Sequence, residues 1–186
     1  WKGNKDLHEY NVGTTCGDWW SGTADDLNLP TSTMRDGTAK GYSFISFKGN
    51  QYNVKYKTAG KPEDYQIQLS VPKVIPHPSK TSAKIVANFF IGSKNDEVLY
   101  RIDGGKWEPM EFAETIDPAF AQSVYKWDTT GKLLTGKRPS NPEQSTHIWI
   151  GGFGNKLDLG KHTVDVKAKD MYGNEYTASE SFEVQT

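Results

Sequence analysis

GYSFISFKGNQYNVKYKTAG, residues 41–60, is the stretch whose reading decides the fold. Tyr42, Phe44, Ile45 and Phe47 lead into Lys48-Gly49-Asn50, and Tyr52, Val54 and Tyr56 then alternate strictly with polar residues. Alternation with period two belongs to strands, and a Gly-Asn pair between two such runs reads as the turn of a β-hairpin. Just beyond, DYQIQLSV (64–71) alternates Tyr65, Ile67, Leu69 and Val71 and reads as a third strand. Together these make a small antiparallel β-meander.

The next segment, PKVIPHPSK (72–80), carries three prolines in its first seven residues. Proline has no N–H to give to a central ladder, so the segment is expected to be a linker or an edge. The chain is therefore expected to divide into residues 1–72, a proline-rich linker over 73–80, and residues 81–186. In the last part AKIVANFFIG (83–92) has the length and apolarity of a core strand. EVLYRIDGGKWEPM (97–110) reads as a hairpin around Asp103-Gly104-Gly105. HTVDVKAKDMYGNEYTASESFEV (162–184) alternates Val164, Val166 and Ala168 before a turn at Gly173-Asn174. Short strands at this spacing predict an immunoglobulin-like β-sandwich. They are interrupted by a long excursion, Phe112 to Ser145. Within it DPAFAQSVYKWD (117–128) opens with Asp-Pro and places Phe120, Val124 and Trp127 on one helical face, predicting a short helix. An excursion this long in a compact sandwich is usually a binding or docking surface.

Composition narrows the function. Lys plus Arg number 22 and Asp plus Glu 23, so no net field draws nucleic acid or an anionic membrane. No apolar run approaches the ~20 residues that span a bilayer. Aromatic residues reach 12% in a chain that is only 35% hydrophobic, a balance suited to thin sandwich cores and to ligand platforms. A chain that starts at Trp1 reads as a processed protein or a piece of a longer one.

Catalytic motifs are scarce. The four histidines, His8, His77, His147 and His162, form no pair at metal-ligand spacing, and the single cysteine excludes a cysteine-rich zinc site. Asp6-Leu7-His8 matches Asp-x-His formally, but it follows a polar stretch and has no companion motif. His77, between prolines, reads as solvated loop. TTCGDWWSG (14–22) is the densest stretch. Cys16 has no base near it in sequence and reads as a small buried residue of a strand. On a strand, Trp19 and Trp20 would point to opposite faces, one toward a core and one outward. Arg35, in STMRDGTAKGY, offers a clamp for a phosphate or carboxylate, against the alternative of an ordinary Arg-Asp surface turn.

NVGTTCGDWWSG, LPTSTMRDGTAKGYSFISFKGNQY, IVANFFIGS, VLYRIDGGKWEPM, VYKWDTTGKLLTGKRPSNP, STHIWIGG and GKHTVDVKAKDMYGNEYT together resemble the C-terminal region of bacterial, Bacteroidetes-type calcineurin-like phosphoesterases, from Glu9 to Val184. In that family a two-metal catalytic domain precedes this region, with motifs Asp-x-His, Gly-Asp-x-x-Asp, Gly-Asn-His-Asp/Glu and Gly-His-x-His. The last two do not occur here, and GDWW lacks the second aspartate of Gly-Asp-x-x-Asp. The resemblance thus implies a non-catalytic accessory module, with no cofactor of its own and two divalent metal ions in the parent domain. It implies that residues 1–72 pack on, or complete, the phosphoesterase domain of the same polypeptide. Trp19, Trp20, Arg35 and Asp36 would then lie near that domain's active-site mouth as substrate-shaping residues. The loop from Lys126 to Pro142, with Trp127 and Arg138, would reach back toward the same cleft. A periplasmic or cell-surface location follows from the family alone, and the ligand expected is a small phosphoester or a glycan. Two other readings stand beside it. A freestanding carbohydrate-binding sandwich would show a shallow aromatic strip away from Trp19 and Trp20, whereas an accessory module would expose an apolar patch within residues 1–72. A structural spacer is the third.

Overall fold

The structure, a computed structural model, describes residues 8–78, 80–154 and 156–186. The hairpin forms as expected. Strands β1 (Gly41–Lys48) and β2 (Gln51–Thr58) pair antiparallel with Lys48 opposite Gln51, leaving Gly49 and Asn50 as a two-residue loop. Gly49 takes φ +63°, the positive value that a tight hairpin turn needs. Residues opposite one another share a face, so Ser43, Ile45, Val54 and Tyr56 face one way and Tyr42 and Phe44 the other. Val54, Tyr56 and Thr58 are buried against the rest of the chain, and the Tyr56 ring meets Phe90 edge-on at 6.3 Å. The Tyr56 hydroxyl donates to the Ala39 carbonyl, and the Gln66 amide donates to the Tyr56 carbonyl at 2.7 Å.

The remaining strands form a mainly antiparallel β-sandwich, the expected architecture. One sheet holds, in order, β3 (Ile67–Ser70), β5 (Ile85–Phe89), β9 (Gln144–Gly151) and β8 (Glu111–Ile116). The other holds β4 (Val74–Pro76), β11 (Glu175–Gln185), β10 (Gly160–Lys169), β6 (Glu97–Ile102) and β7 (Glu108–Pro109). The core between them contains Ile85, Ala87, Phe89 and Trp149 from the first sheet and Val98, Val164, Val166 and Phe182 from the second.

Two local expectations change. The third strand does not continue the hairpin into a meander; β3 pairs with β5 instead, with Ile67 opposite Phe89. The proline-rich segment is not only a linker. It supplies β4, which pairs parallel with β11, and Ile75 is buried in the core. Prolines at 72, 76 and 78 are compatible with this because β4 is an edge strand, where a missing donor breaks no inner ladder. His77 extends the pairing by donating its backbone N–H to the Gln185 carbonyl at 2.7 Å. Strands of the sandwich therefore begin at Ile67.

The predicted helix is α1 (Pro118–Thr129). Asp117 caps it, accepting from the Phe120 N–H at 2.7 Å, and Pro118 occupies the first turn, where no N–H is missed. Phe120 and Val124 are buried and Trp127 is half-buried, so the apolar face read from the sequence is the packed face.

At one end of the sandwich, His162 is held at both ring nitrogens by acceptors, Asp103 Oδ2 at 2.7 Å and the Asp158 carbonyl at 2.8 Å, and stacks on Phe182. Both nitrogens can donate only in the imidazolium form. The Asp103 hydrogen bond raises the His162 pKa above its ordinary value. Burial pushes the Asp103 carboxyl up, but the hydrogen bond and charge of His162 together with the Thr163 N–H outweigh it and hold the group below the usual carboxylate range. A raised histidine contributes stability fully below its unfolded pKa of about 6.5, and loses it as pH rises through the folded value. His162→Gln is therefore expected to flatten the fall in thermal stability between neutral and mildly alkaline pH. Identical pH profiles for the two proteins, measured by thermal melts, contradict the assignment.

Candidate functional site

Two polar constellations lie outside the apolar core, and both tie the irregular segment before β1 to the sandwich. The first lines a cavity of about 530 Å³. Its wall is drawn from residues 8–14, the loop around Asp36, the turn after β5, and β8 and β9. Asp36, Thr38 and His147 sit in it, backed by Asn88 and Asp117. The Asn88 amide donates to Asp117 Oδ2 at 3.0 Å and to the Asp36 carbonyl at 3.3 Å. That leaves the Asn88 Oδ1 as an acceptor for the Nδ1–H of His147, 2.7 Å away. His147 Nε2 faces Thr38 Oγ1 and Asp36 Oδ2, each at 3.2 Å. Asn88, Asp117 and His147 are all buried, so each needs these partners.

Asp36 is the one sequence-picked site residue in this cavity. Burial raises its carboxyl, but the hydrogen bond and charge of His147, with donors from Thr38, outweigh it and hold the group below the usual range. The loop reaches the network because Gly37 takes φ +87°; a side chain there would run into Asp117 and Asn88. His147, Asn88 and Asp117 were missed as site residues. Their signal was a polar residue inside an apolar strand: Asn88 in AKIVANFFIG, and Ser145 and His147 ahead of Ile148-Trp149-Ile150. Buried polar residues in such runs demand partners.

The second constellation surrounds TTCGDWWSG, which is a turn rather than a strand. The Trp20 N–H bonds the Cys16 carbonyl at 3.1 Å and the Ser21 N–H bonds the Asp18 carbonyl at 3.0 Å. Trp19 and Trp20 take φ +55° and +52°, left-handed values that bulky side chains rarely adopt. The expected split between core and solvent is therefore overturned: Trp19 is 77% and Trp20 48% exposed. Cys16 is half-buried in the same turn, not strand filler, and its carbonyl accepts from the Ser32 hydroxyl. The turn is pinned by Asp18, a buried carboxylate that accepts from Ser21 Oγ at 3.2 Å and from Ser140 N–H and Oγ at 2.6 and 3.0 Å.

Ser140 belongs to the loop after α1, so that loop does fold back on the N-terminal segment. The Gly22 N–H donates to the Lys137 carbonyl at 2.7 Å. Arg35 Nε donates to the Asn141 carbonyl at 2.9 Å, and its guanidinium pairs with Glu143 at 2.5 Å. Arg138 forms a two-pronged pair with Asp128 at 2.6 and 2.7 Å and also bonds Asn141. Both arginines thus have carboxylate partners within the chain. Trp127 lies near Gly136, beneath the same loop. The structure brings Arg35, Trp127 and Arg138 together around this loop, holds Trp19 and Trp20 on the adjoining turn, and puts Asp36 apart in the cavity. Asp6 lies outside the described residues. Among the described residues no group of three or more His, Cys, Asp or Glu is arranged to hold a metal ion.

Exposed apolar side chains are distributed unevenly. Of the sixteen large ones among the described residues, ten precede residue 60: Val12, Trp19, Trp20, Leu27, Leu29, Tyr42, Phe44, Ile45, Phe47 and Tyr52. The six beyond include one aromatic, Tyr125, so the sandwich carries no exposed aromatic strip among the described residues. Lys40 lies over the Trp20 ring at 5.3 Å, which sets that indole at the foot of β1.

A comparison with curated proteins found no match to the chain. The model of a protein family described as the C terminal of calcineurin-like phosphoesterase matches residues 9–176, from the N-terminal turns through the hairpin and the sandwich into β11. With most of its length matched across both parts, the chain belongs to this family of C-terminal domains of calcineurin-like phosphoesterases.

Proposed function

We propose that the chain is a non-catalytic accessory module that packs on the phosphoesterase domain of its own polypeptide through the Trp19–Trp20 turn and the β1–β2 hairpin. The observation that carries this reading is the concentration of exposed aromatic side chains before residue 60, in the segment and hairpin that precede the strands of the sandwich. Two strands alone are marginal in water, and a sheet with two open edges and apolar residues on both faces gains stability from a covering partner. A left-handed turn that holds Trp19 in solvent also fits an indole kept ready for a neighbour.

In this arrangement the metal ions, two by the chemistry of the family, belong to the partner domain. The module shapes the edge of the substrate cleft, with Trp19, Trp20 and Arg35 from the N-terminal segment and Trp127 and Arg138 from the loop pinned to it, while Asp36, bonded to Thr38 and His147, anchors the loop that carries Arg35. A small phosphoester is the ligand of that cleft, and the periplasm or the cell surface of a Bacteroidetes-type bacterium is the setting. The second reading, a freestanding glycan-binding sandwich, has no exposed aromatic strip among the described residues to carry it.

The test compares the longer protein with and without these residues, using p-nitrophenyl phosphoesters and manganese or zinc. Removal of the module is expected to raise KM or lower kcat for the bulkier esters while leaving metal content unchanged. A folded truncated enzyme with unaltered kcat and KM across the series overturns the shaping role.

A further inference from the structure

We propose that the cavity beside His147 is a binding site for a small organic cation, an alkylammonium or quaternary ammonium group with a short apolar body. The proposal concerns the chain itself and does not depend on docking to a phosphoesterase domain.

Size comes first. About 530 Å³ falls within the roughly 300–1,000 Å³ typical of small-molecule sites, and the wall is built by several separate segments rather than one loop. Its apolar part comes from Met34, Phe90, Phe112 and Met171, with the rings of Tyr10 and Tyr56. Aromatic faces attract cations, and thioethers adapt to irregular apolar groups.

The polar lining selects the charge of the ligand. Most of its side-chain donors are already committed within the chain. The Tyr56 hydroxyl donates to Ala39, Tyr10 bonds Ser43, and both ring nitrogens of His147 have partners. Acceptors remain. Four carboxylates, Glu9, Asp36, Asp96 and Glu114, line the cavity with one lysine, Lys94, among the described residues; Asp36 already accepts from Thr38 and His147, and Asp96 from the Ser93 N–H at 2.7 Å. The side chains of Glu9 and Glu114 make no hydrogen bond or ion pair with other described residues. A ligand that enters must bring positive charge or donors of its own, which disfavours phosphate and other anions. The carboxylates are also too dispersed to cage a bare metal ion, since no metal-binding group of three occurs among the described residues. Dispersed carboxylates around an aromatic and thioether wall suit a bulky, diffuse cation.

The experiment follows the methyl signals of Met34 and Met171 by NMR, at constant ionic strength, as choline is added to the whole chain. Saturable shifts of both signals are expected. The neutral isostere 3,3-dimethylbutan-1-ol, identical in shape but uncharged, is expected to bind at least about tenfold more weakly. Glu114 is exposed, so Glu114→Gln leaves the fold intact, and it is expected to weaken choline binding about fivefold. The proposal is overturned by an absence of saturable shifts, by equal binding of the isostere, or by unchanged affinity in the Glu114 variant. Comparable shifts with glucose or inorganic phosphate overturn it as well, because they assign the cavity to another ligand chemistry. Failure of the docking reading would leave all of these results untouched.

Discussion

Replacement of Asn88 by leucine is expected to lower the unfolding free energy by about 3 kcal/mol, although leucine matches the apolar character of the surrounding strand. In IVANFF every neighbour of Asn88 is apolar or small, and leucine has nearly its shape. The cost comes from the partners left behind. Asp117 Oδ2 loses its amide donor and His147 Nδ1 loses its acceptor, both in buried surroundings. Each stranded buried group costs about 1–3 kcal/mol, toward the upper end where a charge is involved. Three elements meet at this side chain: the loop before β1 through Asp36, the helix cap through Asp117, and β9 through His147. The loss therefore spreads beyond one strand. Urea denaturation of the two proteins measures it; equal or greater stability of the leucine variant contradicts the network as described.

The same residue shows where sequence reading succeeds and where it stops. Periodicity and turn chemistry are local, and they located the hairpin at Gly49-Asn50, the helix cap at Asp117-Pro118 and the alternating strand at Val164-Val166-Ala168. Pairing partners are not local. Ile67 and Leu69 alternate as any strand does, and nothing within DYQIQLSV tells whether it joins the hairpin beside it or β5 across a proline-rich segment. Ile75 likewise reads as one apolar residue between prolines until β11, more than a hundred residues on, gives it a ladder.

The candidate site was legible in part for the same reason. Asp36 and Arg138 were named on the family resemblance and the long loop stood out by its length, and that loop meets the N-terminal segment. His147 did not stand out, because its partners come from positions 36, 38 and 88, brought together only by the fold. The tryptophan pair was misread because alternation was assumed. GDWWSG contains two glycines and a buried aspartate that cap a turn, and the left-handed backbone of two adjacent aromatics has no signature in sequence.

The second large effect concerns the hairpin. Phe47 is 76% exposed at its tip and Phe44 59% exposed on its outer face. If a phosphoesterase domain covers this ribbon, aspartate at both positions places two charges in an apolar contact with no partner. Interface anchors of this kind contribute about 2 kcal/mol or more each, so the Phe44→Asp, Phe47→Asp pair is expected to reduce docking by about 700-fold or more. The chain alone is expected to keep its melting temperature, because neither side chain contributes to the sandwich core.

Amide hydrogen exchange over residues 41–58 tests the docking most directly. It is compared in the isolated chain and in the longer polypeptide that carries the phosphoesterase domain. The β1–β2 amides are expected to be strongly protected in the longer protein, and to exchange rapidly in the isolated chain and in the double aspartate variant. Exchange over 41–58 that is equally fast with and without the phosphoesterase domain contradicts the accessory-module reading.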